Sequence, residues 1–212
     1  MYWGIVCPLY GISLFLPTII NELGYVSSTA QLLTVPIYIT AAVLTVITAW
    51  YSDHSKVGRA PFIFLPMCAI LIGFIIAISA SAHGGLPGLV YAGVFIATCG
   101  IYPAFPGNIC WMSNNLAGSY KRSAGMAFHI GAGNLAGAMA SNFYRAADKP
   151  KYTLGHGLEI GFVSVGLVAV LVLRWNYGRI NEAREREGNE KGHSLSELSE
   201  MGDKAPTFRY ML

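Results

Sequence analysis

Charged residues are scarce in this chain, and their scarcity excludes most soluble functions. Asp, Glu, Lys and Arg together make up 12% of the 212 residues, about half of the ~25% share that is usual in a soluble domain. Apolar residues make up 54%, and the mean hydropathy is +0.48. The net charge of +3 is too small and too scattered to indicate a nucleic-acid-binding protein.

The residue patterns of common enzyme sites are also lacking. The sequence has no His/Glu spacing typical of a metal site, no paired acids within its apolar segments and no GxSxG nucleophile motif. No two of the four cysteines have the spacing of metal ligands; they are Cys7, Cys68, Cys99 and Cys110. We therefore expect no enzymatic activity, no bound metal and no cofactor.

What the chain does have is six apolar segments, each long enough to cross a bilayer, which takes about 20 helical residues. Their only charged side chains are Arg145, Glu159 and Arg174, all near a segment end. The sequence predicts an all-α fold, a polytopic membrane bundle of six transmembrane helices over residues 1–176. The segments are Met1–Ile20, Thr29–Trp50, Pro61–Ser81, Pro87–Met112, Ser123–Ala146 and Gly155–Trp175.

The distribution of lysine and arginine predicts the orientation, since cytoplasmic loops carry an excess of both. Six spans place both termini on one side. The gaps and tail on that side carry nine of these residues against three on the other, so both termini are predicted to be cytoplasmic, with the plasma membrane as the expected location.

The tail, residues 177–212, is predicted to be largely disordered because Asn181–Lys191 alternates acids and bases. Since the first span begins at Met1 without a hydrophilic leader, we expect a truncated or half-length product.

Two of the predicted spans are too rich in glycine, proline and polar residues for plain anchors. In CGIYPAFPGNICW, Pro106 removes the hydrogen bond to the carbonyl of Tyr102, which predicts a local break in the helix. The freed carbonyls could face a solute cavity, or the break could be a static kink. Asn108 is expected to face inward after this break, while Trp111 could be a residue of the interfacial belt.

The fifth span places a histidine and two glycines on one helical face, because the three residues are four apart. Gly133 and Gly137 form a small-xxx-small pattern, which predicts close helix packing. For His129, structural hydrogen bonding and a role in a solute pathway stay open, since an ionisable group within a membrane span is a functional hypothesis by default.

The loop WYSDHSKVGRAP joins the second and third spans. Asp53 could pair with Arg59 across the loop, and Gly58 would permit the sharp reversal of the backbone. This loop resembles the cytoplasmic motif G-x-x-x-D-x-x-G-R of the major facilitator superfamily. It departs from that motif in having Ala49 at the leading glycine and four residues instead of two between Asp53 and Gly58.

Further stretches resemble one branch of that superfamily, the fungal allantoate and nicotinate permeases, which are anion:cation symporters. They are YGISLFLPTIINELGY, AQLLTVPIY, GIYPAFP, SNNLAGSYKR and GNLAGAMASNFY, in that order along the chain. The resemblance covers residues 1 to about 180 and corresponds to helices seven to twelve of a twelve-helix fold. It implies symport by alternating access of a small, anionic organic solute with a coupling cation, expected to be a proton.

On that resemblance the first and fourth spans line the cavity, and polarity selects the solute-facing residues within them and within the fifth span. Asp53, Gly58 and Arg59 would belong to the gate, and Glu159 lies too near the end of its span to be expected as the proton carrier. The N-terminal half of the fold is absent, so transport would need that half or another carrier chain. The alternatives are a non-transporting regulator that pairs with a full-length carrier through the Gly133–Gly137 face, or a fragment without independent function. The predicted solute-facing residues are Tyr10, Ser13, Tyr102, Asn108, His129 and Asn134.

Overall fold

The computed structural model describes residues 1–22, 24–82, 86–149, 151–186 and 195–212. These residues form helices and no strands, which confirms the predicted all-α fold. Short 3-10 turns cover Ala146–Asp148 and Gly202–Lys204. The helices are α1 Trp3–Glu22, α2 Ser27–His54, α3 Pro61–Ala82, α4 Pro87–Asn114, α5 Ser119–Ala140, α6 Thr153–Arg186 and α7 Leu195–Met201.

Five helices of the described chain are long and apolar enough to cross a membrane, namely α1, α2, α3, α4 and α6. The exception is α5, which covers much of the fifth predicted span but begins at Ser119 and ends at Ala140. Its first turns contain Lys121 and Arg122, and its interior is rich in glycine and alanine, so its most apolar 18-residue stretch is less apolar than those of the other five. A sixth crossing by α5 therefore stays a prediction.

Glycines bring α3 and α4 into backbone contact along their length. A Cβ atom on Gly73 would lie 2.5 Å from the Gly93 carbonyl oxygen and from the Ala97 nitrogen, while one on Gly93 would lie 2.7 Å from the Gly73 oxygen. Gly100 is in equally close contact with Pro66 of α3. Each residue that lacks a side chain thus allows the opposite helix to approach, as small residues do in membrane bundles.

The predicted break in the fourth span is wrong, because α4 is helical without interruption from Pro87 to Asn114 and contains both Pro103 and Pro106. Each proline removes only one backbone bond, and packing against neighbouring helices compensates for such losses in membrane segments.

Trp111 does not lie in the interfacial belt either. It is buried, and its indole Nε1 donates a hydrogen bond to the carbonyl oxygen of Met211, at 2.8 Å.

The end of the tail, residues 207–212, packs onto the bundle and is called the tail segment below. Met211 exchanges two hydrogen bonds with the Asn115 side chain, and Tyr210 exchanges two with the Asn181 side chain. The ring of Tyr210 also stacks on Tyr177 at 4.5 Å. This order differs from the predicted largely disordered tail, because that prediction rested on the charged stretch and overlooked the apolar and aromatic residues beyond it. Residues 187–194 of that stretch lie outside the described residues.

Candidate functional site

A polar pair of side chains lies within the bundle, contributed by α4 and α5. Nδ2 of Asn108 and Nε2 of His129 are 3.0 Å apart, and the ring of His129 stacks on Tyr2 at 4.2 Å. Asn108 is fully buried, and its Oδ1 atom has no hydrogen-bond partner among the described residues. A buried acceptor without a partner costs free energy. The pair can therefore accept a hydrogen bond at Oδ1, donate one from the second N–H of Nδ2, and exchange a proton at His129.

A second polar pair joins α1 to α5. The Tyr10 hydroxyl donates a hydrogen bond to Oδ1 of Asn134, at 3.1 Å. The other two predicted solute-facing residues are not part of either pair: Tyr102 has an edge-to-face contact with Tyr38 of α2 at 5.8 Å, and Ser13 is exposed on α1. The structure thus groups four of the six predicted residues into two pairs on α1, α4 and α5.

Both glycines of the fifth predicted span pack against tyrosine rings of α1. A Cβ on Gly133 would collide with the ring of Tyr2, and one on Gly137 would lie 2.8 Å from the ring of Tyr10. The predicted close packing therefore takes place inside this chain. Because α1 covers the Gly133–Gly137 face, that face is not free to bind a separate carrier in this structure. Pairing of the chain with a full-length carrier stays a prediction.

An ion pair spans the loop between α2 and α3, residues 55–60, which is called the clamp loop below. A guanidinium nitrogen of Arg59 lies 2.5 Å from a carboxylate oxygen of Asp53, and the same side chain reaches Ser52 Oγ at 3.5 Å. Gly58 has φ +91°, a left-handed conformation that favours glycine. The backbone of Leu212 fills the space where a Gly58 side chain would be, and its carbonyl accepts a hydrogen bond from the Ala60 nitrogen at 3.3 Å. The tail segment therefore covers this loop directly.

A buried acidic residue, Glu159, lies in the interface between α1 and α6. It is fully buried, one helical turn after His156, which is also buried. The His156 Nδ1 atom is 3.3 Å from the hydroxyl of Tyr144. The position of Glu159 near the end of its span argues, in the sequence, against a role as proton carrier. The available signal was its spacing of three from His156, which puts both side chains on one face of the helix.

Comparison with known proteins relates the chain to fungal transporters. It is 32% identical over 212 residues to the high-affinity nicotinic acid transporter of Saccharomyces cerevisiae, a match that covers 99% of this chain and 39% of that protein. It is 31% identical over 211 residues to the MFS-type transporter cnsO of Penicillium expansum, covering 97% and 40%. An uncharacterized transporter of Schizosaccharomyces pombe, C11D3.18C, is 32% identical over 204 residues, covering 96% and 39%. No family model and no solved structure matches the chain.

These relatives support the resemblance to the major facilitator superfamily, without favouring one branch of it. The chain spans about two fifths of their length. Transporter relatives together with the apolar helices support a multi-pass membrane protein that corresponds to part of a transporter.

Proposed function

We propose that this chain is the C-terminal half of a major facilitator carrier of the allantoate and nicotinate permease type. The carrier moves a small, anionic organic solute together with a proton by alternating access, in the plasma membrane and with both chain ends in the cytoplasm. Support comes from the transporter relatives, one of which is named for nicotinic acid, and from the polar pairs on α1, α4 and α5. The opposing wall of the cavity comes from an N-terminal half or another carrier chain.

The observation that carries this proposal is the buried Asn108–His129 pair, in which the second N–H of Asn108 Nδ2 can donate a hydrogen bond to a carboxylate oxygen. His129 supplies a positive charge when it is protonated, which also suits an anionic solute. A site of this kind is typical of ligand pockets, where a few polar groups in an apolar wall orient the solute.

The test uses a chimera in which the chain replaces the aligned segment of the yeast nicotinic acid transporter, expressed in cells that lack nicotinate uptake. Asn108→Leu is expected to lower uptake about 10- to 100-fold, since a hydrogen bond from Asn108 Nδ2 to a charged carboxylate contributes about 1.5–3 kcal/mol. The quantity measured is the initial rate of radiolabelled nicotinate uptake, divided by the amount of chimera at the cell surface.

The matched control is Asn142→Leu. Asn142 is exposed, and its side chain bonds within its own turn, to the Ala138 carbonyl and the neighbouring Ser141, so uptake should stay within about twofold of the parent. Equal rates for both variants would contradict the proposed role of Asn108. A surface-located parent chimera that transports none of a panel of small carboxylates would contradict the proposed function itself.

The clamp loop gives a separate prediction. Asp53→Asn removes the charge that pairs with Arg59, and a partly exposed ion pair of this kind contributes up to about 1 kcal/mol. We expect up to about fivefold slower uptake by the chimera, with solute affinity unchanged, since neither residue touches the polar pairs. The control is Asp148→Asn, which breaks the exposed pair with Arg145 outside the loop. Weaker solute binding with a normal rate of conformational exchange would rule out a gating role for Asp53.

A further inference from the structure

The carboxyl group of Glu159 is enclosed by protein and has no partner. Its side chain has 0% exposure, and neither of its oxygens has a hydrogen-bond partner among the described residues. It lies six residues into α6, about 9 Å along the helix axis at 1.5 Å per residue. Buried carboxyl groups are normally paired or hydrogen-bonded, so this one needs a physical explanation.

Close packing of α1 on α6 excludes water from the site. A Cβ on Gly4 would lie 2.7 Å from the Phe162 carbonyl oxygen and 3.0 Å from the Gly166 Cα, so the two helices touch through their backbones. Two turns further along α1, a Cβ on Gly11 would collide with Oε1 of Glu159. The absence of a side chain at Gly11 therefore creates the space that the carboxyl group occupies.

The titratable groups around Glu159 come from each element packed on it. Cys7 of α1 and Tyr144 of the α5–α6 connection are within electrostatic range of the carboxyl group, and His156 lies one turn away on α6 itself. From α3, the ring of Phe74 packs against His156 at 5.8 Å. None of these groups is a permanent cation, so none of them compensates a negative charge on Glu159.

The energetics then link the charge on Glu159 to the separation of two helices. An ion transferred into a dry interior loses much of its favourable hydration free energy. The packed arrangement of α1 and α6 therefore favours the neutral carboxylic acid. The carboxylate becomes favourable once α1 moves away and water enters, at which point the proton passes to that water. Uptake of one proton restores the acid and the packing.

We propose that Glu159 is a proton-binding site coupled to the movement of α1 against α6. The link to the solute runs through adjacent residues of α1: Gly11 faces Glu159, while Tyr10 bonds Asn134 of the polar site. Release of the proton thus loosens the same helix that holds one side of the solute-facing pair. This inference names the coupling residue of the proposed symporter and rests on that function.

The first test reads the protonation state directly, without any solute. The purified chain in phospholipid vesicles is measured by infrared spectroscopy between pH 5 and 10. At pH 7 we expect a carbonyl band from one protonated carboxylic acid, present in the parent and in Glu182→Gln but absent from Glu159→Gln. An ionised Glu159 at pH 7 would overturn the proposal.

A second variant tests whether helix packing controls this band. Gly11→Ala pushes α1 away from the carboxyl group, so we expect the acid band to disappear at a lower pH than in the parent. Gly157→Ala is the control, since a Cβ there meets nothing within 4 Å. An unchanged titration of Glu159 in Gly11→Ala would overturn the coupling to α1.

The third measurement separates this inference from the proposed function. In the chimera, Glu159→Gln should retain exchange of labelled for unlabelled nicotinate, while accumulation driven by a pH gradient falls at least tenfold. Undiminished accumulation by Glu159→Gln would overturn the inference and leave the transport function standing. A parent chimera with the infrared band but no transport would contradict the proposed function alone.

Discussion

Gly93→Val is expected to destabilise the chain more than any other single substitution considered. A Cβ at position 93 would lie 2.7 Å from the Gly73 carbonyl oxygen and 2.8 Å from the Ala77 nitrogen. Both obstacles are backbone atoms of α3, which cannot rotate away as a side chain does. Overpacking costs typically 1–3 kcal/mol, and an obstacle of this kind places the loss at about 3 kcal/mol or more. The measurement is thermal unfolding of the purified chain in detergent, followed by circular dichroism.

Gly161→Val is the matched control for this substitution. Gly161 lies inside α6, is exposed, and has nothing within 4 Å of the position of a Cβ. Valine is slightly better than glycine in a helix, so its unfolding midpoint should match or exceed that of the parent. Equal losses in Gly93→Val and Gly161→Val would show that α3 and α4 are not packed backbone to backbone.

The double substitution Asn115→Ala and Asn181→Ala is expected to release the tail segment from the bundle. The two side chains make four hydrogen bonds to the backbone of Tyr210 and Met211, at 2.7–3.2 Å. At about 0.5–1.5 kcal/mol each, their loss amounts to roughly 2–6 kcal/mol. The open population of the tail segment should therefore rise at least ~30-fold. Hydrogen exchange of the amides of residues 208–212 measures this directly.

Asn114→Ala provides the control for the tail experiment. Asn114 is next to Asn115, but its side chain bonds the tail segment through the Met211 sulfur, at 3.4 Å, which is a weak interaction. Its exchange rates should stay within about twofold of the parent. If the double variant also exchanges at the parent rate, the two asparagine side chains do not hold the segment. Its other contacts hold it instead, among them the Trp111 hydrogen bond to Met211 and the stacking of Tyr210 on Tyr177.

The helices were predictable from the sequence because each apolar segment depends mainly on local composition and length. The lengths of α3 and α4 follow from apolar runs bounded by loops with proline and glycine. The fourth span shows where this reasoning fails. Pro103 and Pro106 predict a break, yet α4 continues, because neighbouring helices compensate for backbone bonds that a local pattern counts as lost.

Which polar residues matter was partly predictable, but their partners were not. Polarity within an apolar span selected Asn108, His129, Tyr10 and Asn134, and the structure joins them as two pairs. A pairing between residues 124 positions apart, as in Tyr10 and Asn134, depends on how helices pack and leaves no trace in local spacing. For the same reason the sequence places Glu159 only near a helix end, although the surrounding elements bury it completely.

By itself the sequence determined an all-α chain built of membrane-length apolar helices, with a clamp loop and glycines suited to close packing. Only the tertiary structure decided that Gly133 and Gly137 pack against tyrosine rings of α1. It also decided that the tail segment covers the clamp loop and that Glu159 is buried where α1 packs on α6. The physical reason is that composition and helix length are local properties. Burial of a charge, a ring or a backbone segment depends on which surfaces meet, and that is decided by contacts between residues far apart in the chain.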